Sequence, residues 1–389
     1  MKEVAVIGVG ETRFGELWDR SFRDLGIEAG MKALEDAGVT AEQIDALYVG
    51  NMSAGKLVDQ GHVAALVSDY AGLADQHPAT FRVEGGGACG GLALASGFTA
   101  VASGLFDIVV VGGAEKMTDV SDEKAKSILS ATADQEWESV FGASHASLYA
   151  MIARRHMHEF GTTREQMAAV AVKNHRNGAK NPNAQYQREL SMKAVLGAPW
   201  VAEPLGMLDC APLSDGAAAV ILCPSEMARK FTDTPILIAG LGIASDTIAL
   251  HDRRSITTMD ASVIAGRRAY DMAKISPAEI QVAEVHDNYT ITEIVAIEDL
   301  GFVEKGNGGP ATVEGVTELN SKISVNPSGG LKARGQPVGA TGIAQAVEVV
   351  RQLKGEVGER QVSGAEVGLT HVVGGTGATV VVHVLRRSN

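Results

Sequence analysis

The chain is poor in cysteine and in aromatic residues. It has 389 residues, of which three are cysteines (Cys89, Cys210 and Cys223) and 5% are aromatic. A small and odd number of cysteines argues against a disulfide framework and favours a reducing compartment, so we expect a cytoplasmic protein. The cysteines have no CxxC spacing and the ten histidines have no zinc-site spacing. The sequence therefore predicts no metal site.

An excess of positive charge and long apolar runs are also lacking. The net charge is −13, and no patch rich in Lys and Arg is interleaved with aromatic residues. This composition excludes the usual signature of a nucleic-acid-binding protein and does not favour anionic membranes. No apolar stretch reaches the roughly 18–20 residues of a spanning helix, and the one at the N-terminus is too short for a signal peptide. We expect neither nucleic acid nor membrane as a partner.

Glycine, in contrast, is abundant, and its 45 residues are clustered rather than periodic. Glycine clusters mark places where the backbone turns sharply or approaches a ligand closely. Four stretches combine a turn or strand end with reactive or polar side chains: 85–91, 285–290, 326–342 and 370–382. None of them is a Walker A motif, and GVGETRFGE near the N-terminus is not GxGxxG, so a nucleotide-binding loop is not predicted.

The order of the segments predicts an α/β fold with two comparable halves. Strand-like segments at 3–10, 44–50 and 106–117 alternate with helix-like segments such as 21–38. Residues 30–51 resemble residues 266–288 at a constant offset, and VAVIGVG (4–10) resembles ILIAGLG (236–242). This internal repeat predicts a duplicated α/β domain, with a boundary near residues 225–235.

A long segment, roughly 118–205, separates parts of the first half. It contains an amphipathic helix at 146–160, followed by a polar stretch rich in Asn and Lys. An insertion of this kind in a compact enzyme is usually a lid or a substrate-binding excursion. A surface elaboration is the alternative, and composition alone does not separate the two.

Cys89 is the most reactive side chain in these stretches. It lies in GGGACGG (85–91) and precedes an apolar run of helical character. The positive end of a helix dipole lowers the pKa of a thiol, which predicts that Cys89 is a nucleophile. A small buried cysteine that packs a tight turn is the alternative. Cys210 and Cys223 are predicted to be packing residues.

Three further stretches supply polar candidates. His286 ends a predicted strand, where ligands bind in α/β sheets, and Asn288 points the same way if the chain stays extended. His371 lies on a strand that runs into GGTG. Gln336 lies in a glycine-proline turn, where it can donate and accept hydrogen bonds but cannot act as a base near neutral pH. For each histidine, a core position is the alternative.

Together these stretches resemble the thiolase superfamily over nearly the whole chain. GGLKARGQPVGATG (329–342) is similar to the family signature GGxxxxGHPxGATG, which is highly specific. SDGAAAVIL, NPSGG, EKMTD and HDNYT resemble further family blocks. HDNYT in place of the NEAF-type loop, together with ASDTIALHDRR and THVVGG, is most similar to archaeal acetoacetyl-CoA thiolases and to sterol-carrier-protein-type thiolases.

The resemblance implies a duplicated five-layered αβαβα fold. In this scheme the N-terminal half comprises residues 1–117 plus about 206–230, the inserted lid region comprises 118–205, and the C-terminal half comprises 231–389. It also implies an acyl-CoA C-acyltransferase with a CoA thioester as substrate and no permanently bound cofactor. Contacts to CoA are then expected at Ser245, Gly330 and Gly375.

The resemblance implies partners as well. Family members form homodimers or homotetramers. In the archaeal group the thiolase works beside a hydroxymethylglutaryl-CoA synthase and a small zinc-ribbon/OB-fold protein.

The chain departs from the family at the positions that carry the chemistry. A thiolase needs a thiolate that carries the acyl group, acid–base groups and two oxyanion holes. Gln336 occupies the histidine position of GHP, and His371 occupies the cysteine position of CxG. An alignment without gaps places Gly87 at the nucleophile and Cys89 at a neighbouring serine.

Three alternatives follow. Cys89 is a displaced nucleophile; or His286, His371 and Tyr289 move protons in aldol or retro-aldol chemistry without an acyl-enzyme; or the chain is a catalytically silent subunit. The glycines at 85–87 also predict room for a larger or branched acyl group.

Overall fold

The structure is a computed structural model that describes residues 1–388. Strands and helices alternate as predicted, and the chain is α/β. The strands are β1 (Val4–Glu11), β2 (Ala46–Gly50), β3 (Ala79–Val83), β4 (Val109–Glu115), β5 (Trp200–Ala202), β6 (Leu205–Gly206), β7 (Gly216–Pro224), β8 (Ile236–Ser245), β9 (Val282–Val285), β10 (Ser324–Val325), β11 (Val367–Gly374) and β12 (Thr379–Arg387).

The helices within the same residues include several of only one turn. They are α1 (Phe22–Ala37), α2 (Ala54–Leu57), α3 (Val63–Tyr70), α4 (Cys89–Ala102), α5 (Asp122–Ser130), α6 (His145–Phe160), α7 (Arg164–Gly178), α8 (Met192–Leu196), α9 (Ser225–Ala228), α10 (Asp260–Ala273), α11 (Thr290–Asp299), α12 (Gly308–Val313), α13 (Gly330–Arg334) and α14 (Thr341–Lys354).

The duplication predicted from the repeat is confirmed by the strand order. The first half contributes the order β3-β2-β4-β7-β1 and the second half contributes β10-β9-β11-β12-β8. Corresponding neighbours also have the same direction: β2 is parallel to β3 and β4, as β9 is parallel to β10 and β11. Strands β1 and β8 pair at the junction. The residue limits proposed for the halves and the insertion stay predictions.

Two helices fill the space between the sheets of the two halves. The apolar residues of α4 and α14 belong to one core cluster with residues from the sheets of both halves. Helices α1 and α3 pack on the opposite face of the first sheet, and α10 and α11 belong to the core cluster on the outer face of the second sheet. This arrangement is the five-layered αβαβα fold, and its glycine-rich loops lie at the carboxyl ends of the parallel strands, where ligands bind.

The inserted segment contributes buried residues to the interior of the molecule. The predicted helix at 146–160 is confirmed as α6. The mostly buried helix α7 follows it and includes the first residues of the polar stretch, 173–178. Asn174 of α7 donates to Asp287 and to Glu293 at 2.7 Å each, and Lys173 forms an ion pair with Glu293 at 2.9 Å. Because Asp287 lies between two predicted site residues, α7 supports the loop that carries them.

None of the helices within residues 1–388 combines the length and the apolar character that crossing a membrane requires. In the same part of the chain, no three His, Cys, Asp or Glu side chains are grouped so that they could hold a metal ion.

Candidate active site

A small cavity lies where the two halves and the insertion meet. The loops after β2, β3 and β9 reach it, as do the end of β11, the turn before α14 and the insertion. Its lining residues are Met52, Gly87, Leu129, Thr132, His145, His286, Asn288, Gln336, Val338, Val373 and Gly375. The cavity therefore brings together His286, Asn288, Gln336 and Gly375 among the predicted site residues.

His286 and Asn288 present polar atoms that lack a partner. Within residues 1–388, neither Nδ1 of His286 nor Nδ2 of Asn288 has a hydrogen-bond partner, although both residues are buried. The Oδ1 of Asn288 accepts from the Tyr289 backbone N–H at 3.0 Å and from the Thr292 hydroxyl at 2.8 Å. A buried polar group without a partner costs about 1–3 kcal/mol. Unpartnered polar atoms in a cavity are typical of a ligand-binding site.

His286 is neutral near physiological pH. Burial lowers the pKa of its imidazole well below 6.5, and the neighbouring His371 and His145 lower it further because two adjacent imidazoles do not both carry a proton easily. A neutral imidazole can accept a proton from a substrate and return it.

Cys89 is not part of the cavity wall. It is 0% exposed, and its thiol donates to the Gly86 carbonyl at 2.8 Å. It packs in an apolar cluster with Met52 and Val338, two residues that do line the cavity. The thiol is therefore buried beside the cavity rather than exposed in it.

The expected activation of Cys89 by the helix dipole is wrong. Burial raises the pKa of the Cys89 thiol well above 9, and the carboxylates of Glu115 and Glu84 raise it further. Cys89 begins α4, but the apolar surroundings outweigh the favourable end of the helix. At rest the thiol is protonated.

Gly87 occupies the position next to His286. A Cβ atom at Gly87 would lie 3.4 Å from Cε1 of His286 and 2.3 Å from the Val373 carbonyl oxygen. The neighbouring Gly85 is packed as tightly, with a Cβ position 2.3 Å from Leu92 Cδ1. Gly85 and Gly87 let the loop approach its surroundings closely, including β11. The expectation that the glycines at 85–87 leave room for a larger or branched acyl group stays a prediction.

Gln336 lines the cavity from the turn before α14. Its backbone N–H donates to the Ser214 hydroxyl at 2.9 Å, which fixes the turn. Glu115 holds the same wall together, because it accepts from the backbone N–H groups of Met52 at 2.9 Å and of Gly339 at 3.1 Å. Burial raises the pKa of Glu115 to about 7.

His371 lies behind the cavity rather than on it. Its Nε2 contacts the Ser262 hydroxyl at 2.9 Å, and its Nδ1 accepts from the His286 backbone N–H at a long 3.5 Å. Burial lowers the pKa of His371 to about 3. The structure thus places His371 where it supports His286.

The three predicted CoA contacts have different surroundings. Gly375 lines the cavity. Ser245 is exposed at the end of β8. Gly330 is buried, and a Cβ atom there would lie 2.3 Å from a carboxylate oxygen of Asp287.

The other two cysteines lie elsewhere. Cys223 is buried in β7 and Cys210 is half-buried in a bridge to Tyr289.

The sequence analysis missed His145. This residue begins α6 in the insertion, directly after the N-cap Ser144, and its ring lines the cavity. The sequence does contain a cue, because a serine before an amphipathic run predicts a helix start and so places residue 145 at a helix end. Nothing local in the sequence says that this helix end meets the loops of the second half.

Most of the chain matches models of known protein families, and similar proteins cover nearly its whole length. Residues 4–226 match the family described as "Thiolase, N-terminal domain" and residues 242–387 match "Thiolase C-terminal domain-like". The acetyl-CoA acetyltransferase of Methanothermobacter thermautotrophicus is 58% identical over 387 residues and covers 100% of both chains. That of Methanocaldococcus jannaschii is 49% identical and covers 99% of both. Sterol carrier protein 2 of Bos taurus is 33% identical over 97% of this chain and 71% of its own.

Solved structures share the fold. An Ltp2-ChsH2(DUF35) aldolase has a TM-score of 0.85 and 26% identity, and the match covers 99% of this chain and 97% of that one. Human mitochondrial 3-ketoacyl-CoA thiolase in complex with CoA has a TM-score of 0.78 and 17% identity, with 100% and 98% of the chains covered. At 17% identity the likeness concerns the fold alone.

Proposed function

The chain belongs to the thiolase family, and on that premise we propose that the cavity is the active site of an acyl-CoA C-acyltransferase. This enzyme makes or breaks a carbon–carbon bond beside the carbonyl group of a CoA thioester. One observation carries the proposal: the unpartnered His286 and Asn288 side chains line one cavity together with Gly87 and Gln336. The relatives at 58% and 49% identity, both named acetyl-CoA acetyltransferase, support acetyl-CoA as a substrate.

Asn288 supplies a hydrogen-bond donor for the thioester oxygen. Its Oδ1 already accepts two hydrogen bonds, so its amide N–H groups are the part left for a ligand. A donor fixed before the reaction stabilises the negative charge of an enolate or a tetrahedral intermediate, because it needs no reorganisation. The Gln336 amide is a second donor on the same wall, and His286 accepts and returns a proton.

Acyl transfer through a covalent intermediate assigns Cys89 as the acyl carrier. For that step its thiol breaks the hydrogen bond to the Gly86 carbonyl and turns past Met52 or Val338 into the cavity. The thiol also gives up its proton, which its apolar surroundings oppose in the resting state. The thiolate then attacks the thioester carbonyl, and CoA leaves as the thiol.

The position of the thiol favours a second candidate, aldol or retro-aldol chemistry on a CoA thioester. The cavity contains imidazole and amide groups, whereas the thiol of Cys89 lies outside it and Gly87 carries no side chain. The likeness to the solved aldolase, at 26% identity over 99% of this chain, supports this candidate. No acyl-enzyme forms in an aldol reaction, so Cys89 is then a packing residue.

The test is the intact mass of the chain after incubation with acetyl-CoA and with longer acyl-CoAs, followed by peptide mapping. Acyl transfer predicts an acyl-sized increase on Cys89 that is absent in Cys89→Ala. An aldolase shows no adduct, and its Cys89→Ala variant keeps carbon–carbon bond formation or cleavage. A chain that gives neither an adduct nor a product with any of these thioesters contradicts both candidates and leaves a silent subunit.

The remaining assignments are proposals that concern the surroundings of the enzyme. A CoA thioester is the substrate, without a permanently bound cofactor, and the location is cytoplasmic, as the sparse cysteines suggest. We propose a homodimer or homotetramer. The likeness to an aldolase solved with a DUF35 protein supports a small zinc-ribbon/OB-fold partner. Association with a hydroxymethylglutaryl-CoA synthase stays a prediction from the family.

A further inference from the structure

His145 brings a further imidazole to the cavity, and it comes from the insertion rather than from either half. It is the first residue of α6, and the hydroxyl of its N-cap Ser144 accepts from the Ser147 backbone N–H at 3.1 Å. The helix start thus fixes the backbone from which the imidazole projects. Leu129 and Thr132, from the same insertion, line the cavity beside it.

The imidazole of His145 has a defined polar and aromatic environment. Its Nδ1 contacts the Tyr289 hydroxyl at 3.2 Å, and its ring lies 5.2 Å from the Tyr149 ring and 5.7 Å from the Tyr289 ring. The residue as a whole keeps some contact with solvent, but burial of the ring lowers its pKa to about 4, partly offset by the Gly375 carbonyl. Near neutral pH the imidazole is therefore a neutral group that can accept a proton.

Few other groups on the cavity wall can accept a proton near neutral pH. His371 does not line the cavity, and an amide such as Gln336 cannot act as a base. His286 and His145 are thus the two imidazoles on the wall. A proton on His145 disfavours a proton on His286, so the pair is suited to hold one proton at a time.

We propose that His145 is a catalytic acid–base residue that takes the proton from the α-carbon of the CoA thioester and later passes it to the leaving thiolate or to the new alkoxide. This inference rests on the proposed function. The α-carbon–hydrogen bond breaks as an N–H bond forms on the imidazole, and the electron pair moves into an enolate whose oxygen accepts from the Asn288 amide. The enolate carbon then attacks the carbonyl carbon of the second substrate.

The proton of the imidazolium has a defined destination in either reaction. In acyl transfer the carbon–sulfur bond of the acyl donor breaks, and the leaving thiolate takes the proton. In an aldol reaction the new alkoxide takes it. Both sequences return His145 to its neutral form and need no oxidant, reductant or metal.

The experiment follows the α-protons of acetyl-CoA, and of one longer straight-chain acyl-CoA, by NMR in D₂O. No second substrate is added, so the signal reports proton abstraction alone. We expect exchange with the unmodified chain and a loss of at least about 100-fold in His145→Gln, the usual range for a missing general base. The matched control is His158→Gln, an exposed histidine on the same helix, which keeps full exchange.

Binding of acetyl-CoA and thermal unfolding are measured on the same variants, and His145→Asn is prepared beside His145→Gln. A base that contacts the substrate lowers exchange while the affinity for acetyl-CoA stays within about threefold, a shift of under 1 kcal/mol. Full exchange in folded His145→Gln or His145→Asn overturns this inference and leaves the proposed function standing. Absence of exchange in the unmodified chain, with both thioesters bound, overturns the proposed function as well.

Discussion

Gly87 and Cys89 lie two residues apart but face different surroundings. Gly87 meets His286 in the cavity, whereas the side chain of Cys89 enters an apolar cluster behind it. The alignment without gaps, in which Gly87 takes the family's nucleophile position, stays a prediction. What a pattern of residue types cannot decide is the direction of each side chain, because the loop between β3 and α4 includes Gly86 with a positive φ of 59°.

The burial of Cys89 gives a prediction at the scale of one residue. Because the thiol is enclosed and its pKa is raised, we expect iodoacetamide at pH 8 to modify Cys89 in the folded chain at least about tenfold more slowly than in urea. The rates are measured by peptide mass mapping over time. Rapid labelling in the folded chain contradicts the buried position. Labelling that becomes rapid only with bound CoA supports the covalent route.

His383 gives a prediction about pH. It is buried in β12, and burial lowers its pKa to about 3, whereas the unfolded chain binds this proton near pH 6.5. Below pH 6.5 the unfolded state therefore gains a proton that the folded state does not bind, so stability falls as the pH falls towards 3. One unit of pH is worth about 1.4 kcal/mol, so this contribution reaches about 2 kcal/mol at pH 5.

The variant His383→Leu removes this linkage. Between pH 7 and pH 5 we expect it to lose about 2 kcal/mol less unfolding free energy than the unmodified chain. Urea unfolding at both pH values measures the difference. Equal losses in the two chains would show that His383 titrates normally in the folded state.

At the scale of elements, the local residue patterns predicted those strands and helices whose formation depends on residues close in sequence. The predicted strands at 3–10 and 44–50 and the helix at 21–38 correspond to β1, β2 and α1, and Ser21 and Gly38 cap α1 as helix signals require. The burial of the polar residues of α7 could not be predicted in this way. The partners of Asn174 lie 113 and 119 residues further along the chain, so its polar side chain signalled exposure although it is buried.

The same distinction applies to the candidate site. His286, Asn288 and Gln336 follow strand ends or turns with recognisable patterns, and these three residues do meet in one cavity. His145 belongs to an insertion without such a pattern. Its contact with Tyr289 spans 144 residues, a distance over which a single sequence carries no pairing information.

The repeat supplies a matched pair of helix substitutions. Gly30 in α1 corresponds to Gly266 in α10; a Cβ at Gly30 meets nothing within 4 Å, whereas a Cβ at Gly266 lies 3.1 Å from Leu300 Cδ2. Alanine restricts the unfolded chain and favours a helix by about 0.5–1 kcal/mol over glycine. We expect Gly30→Ala to raise the unfolding free energy by that amount and Gly266→Ala to gain less or to lose stability. Urea unfolding of both decides, and equal gains would contradict the close contact at Gly266.

At the scale of the whole molecule, the residues that line the cavity come from three separate parts of the chain. The first half contributes the loop with Gly87, the second half contributes His286 and Asn288, and the insertion contributes His145. The space that a water-sized molecule can occupy in this cavity is about 10 Å³, roughly the room of a single water. Binding of a CoA thioester therefore requires one of these parts to move, and α5 with Leu129 and Thr132 at its end is the wall with the most exposed surface.

The pairing of β1 has a consequence for how the chain acquires its structure during synthesis. Residues 4–11 pair with residues 218–224, and the adjoining contact is to residues 236–237. A ribosome that adds about 5–20 residues per second needs roughly 10–40 s between the two strands of the first pair. Over that interval the apolar strand β1 has no neighbouring strand to pair with. The nascent chain is therefore expected to depend on chaperones more than one whose sheets form from consecutive strands.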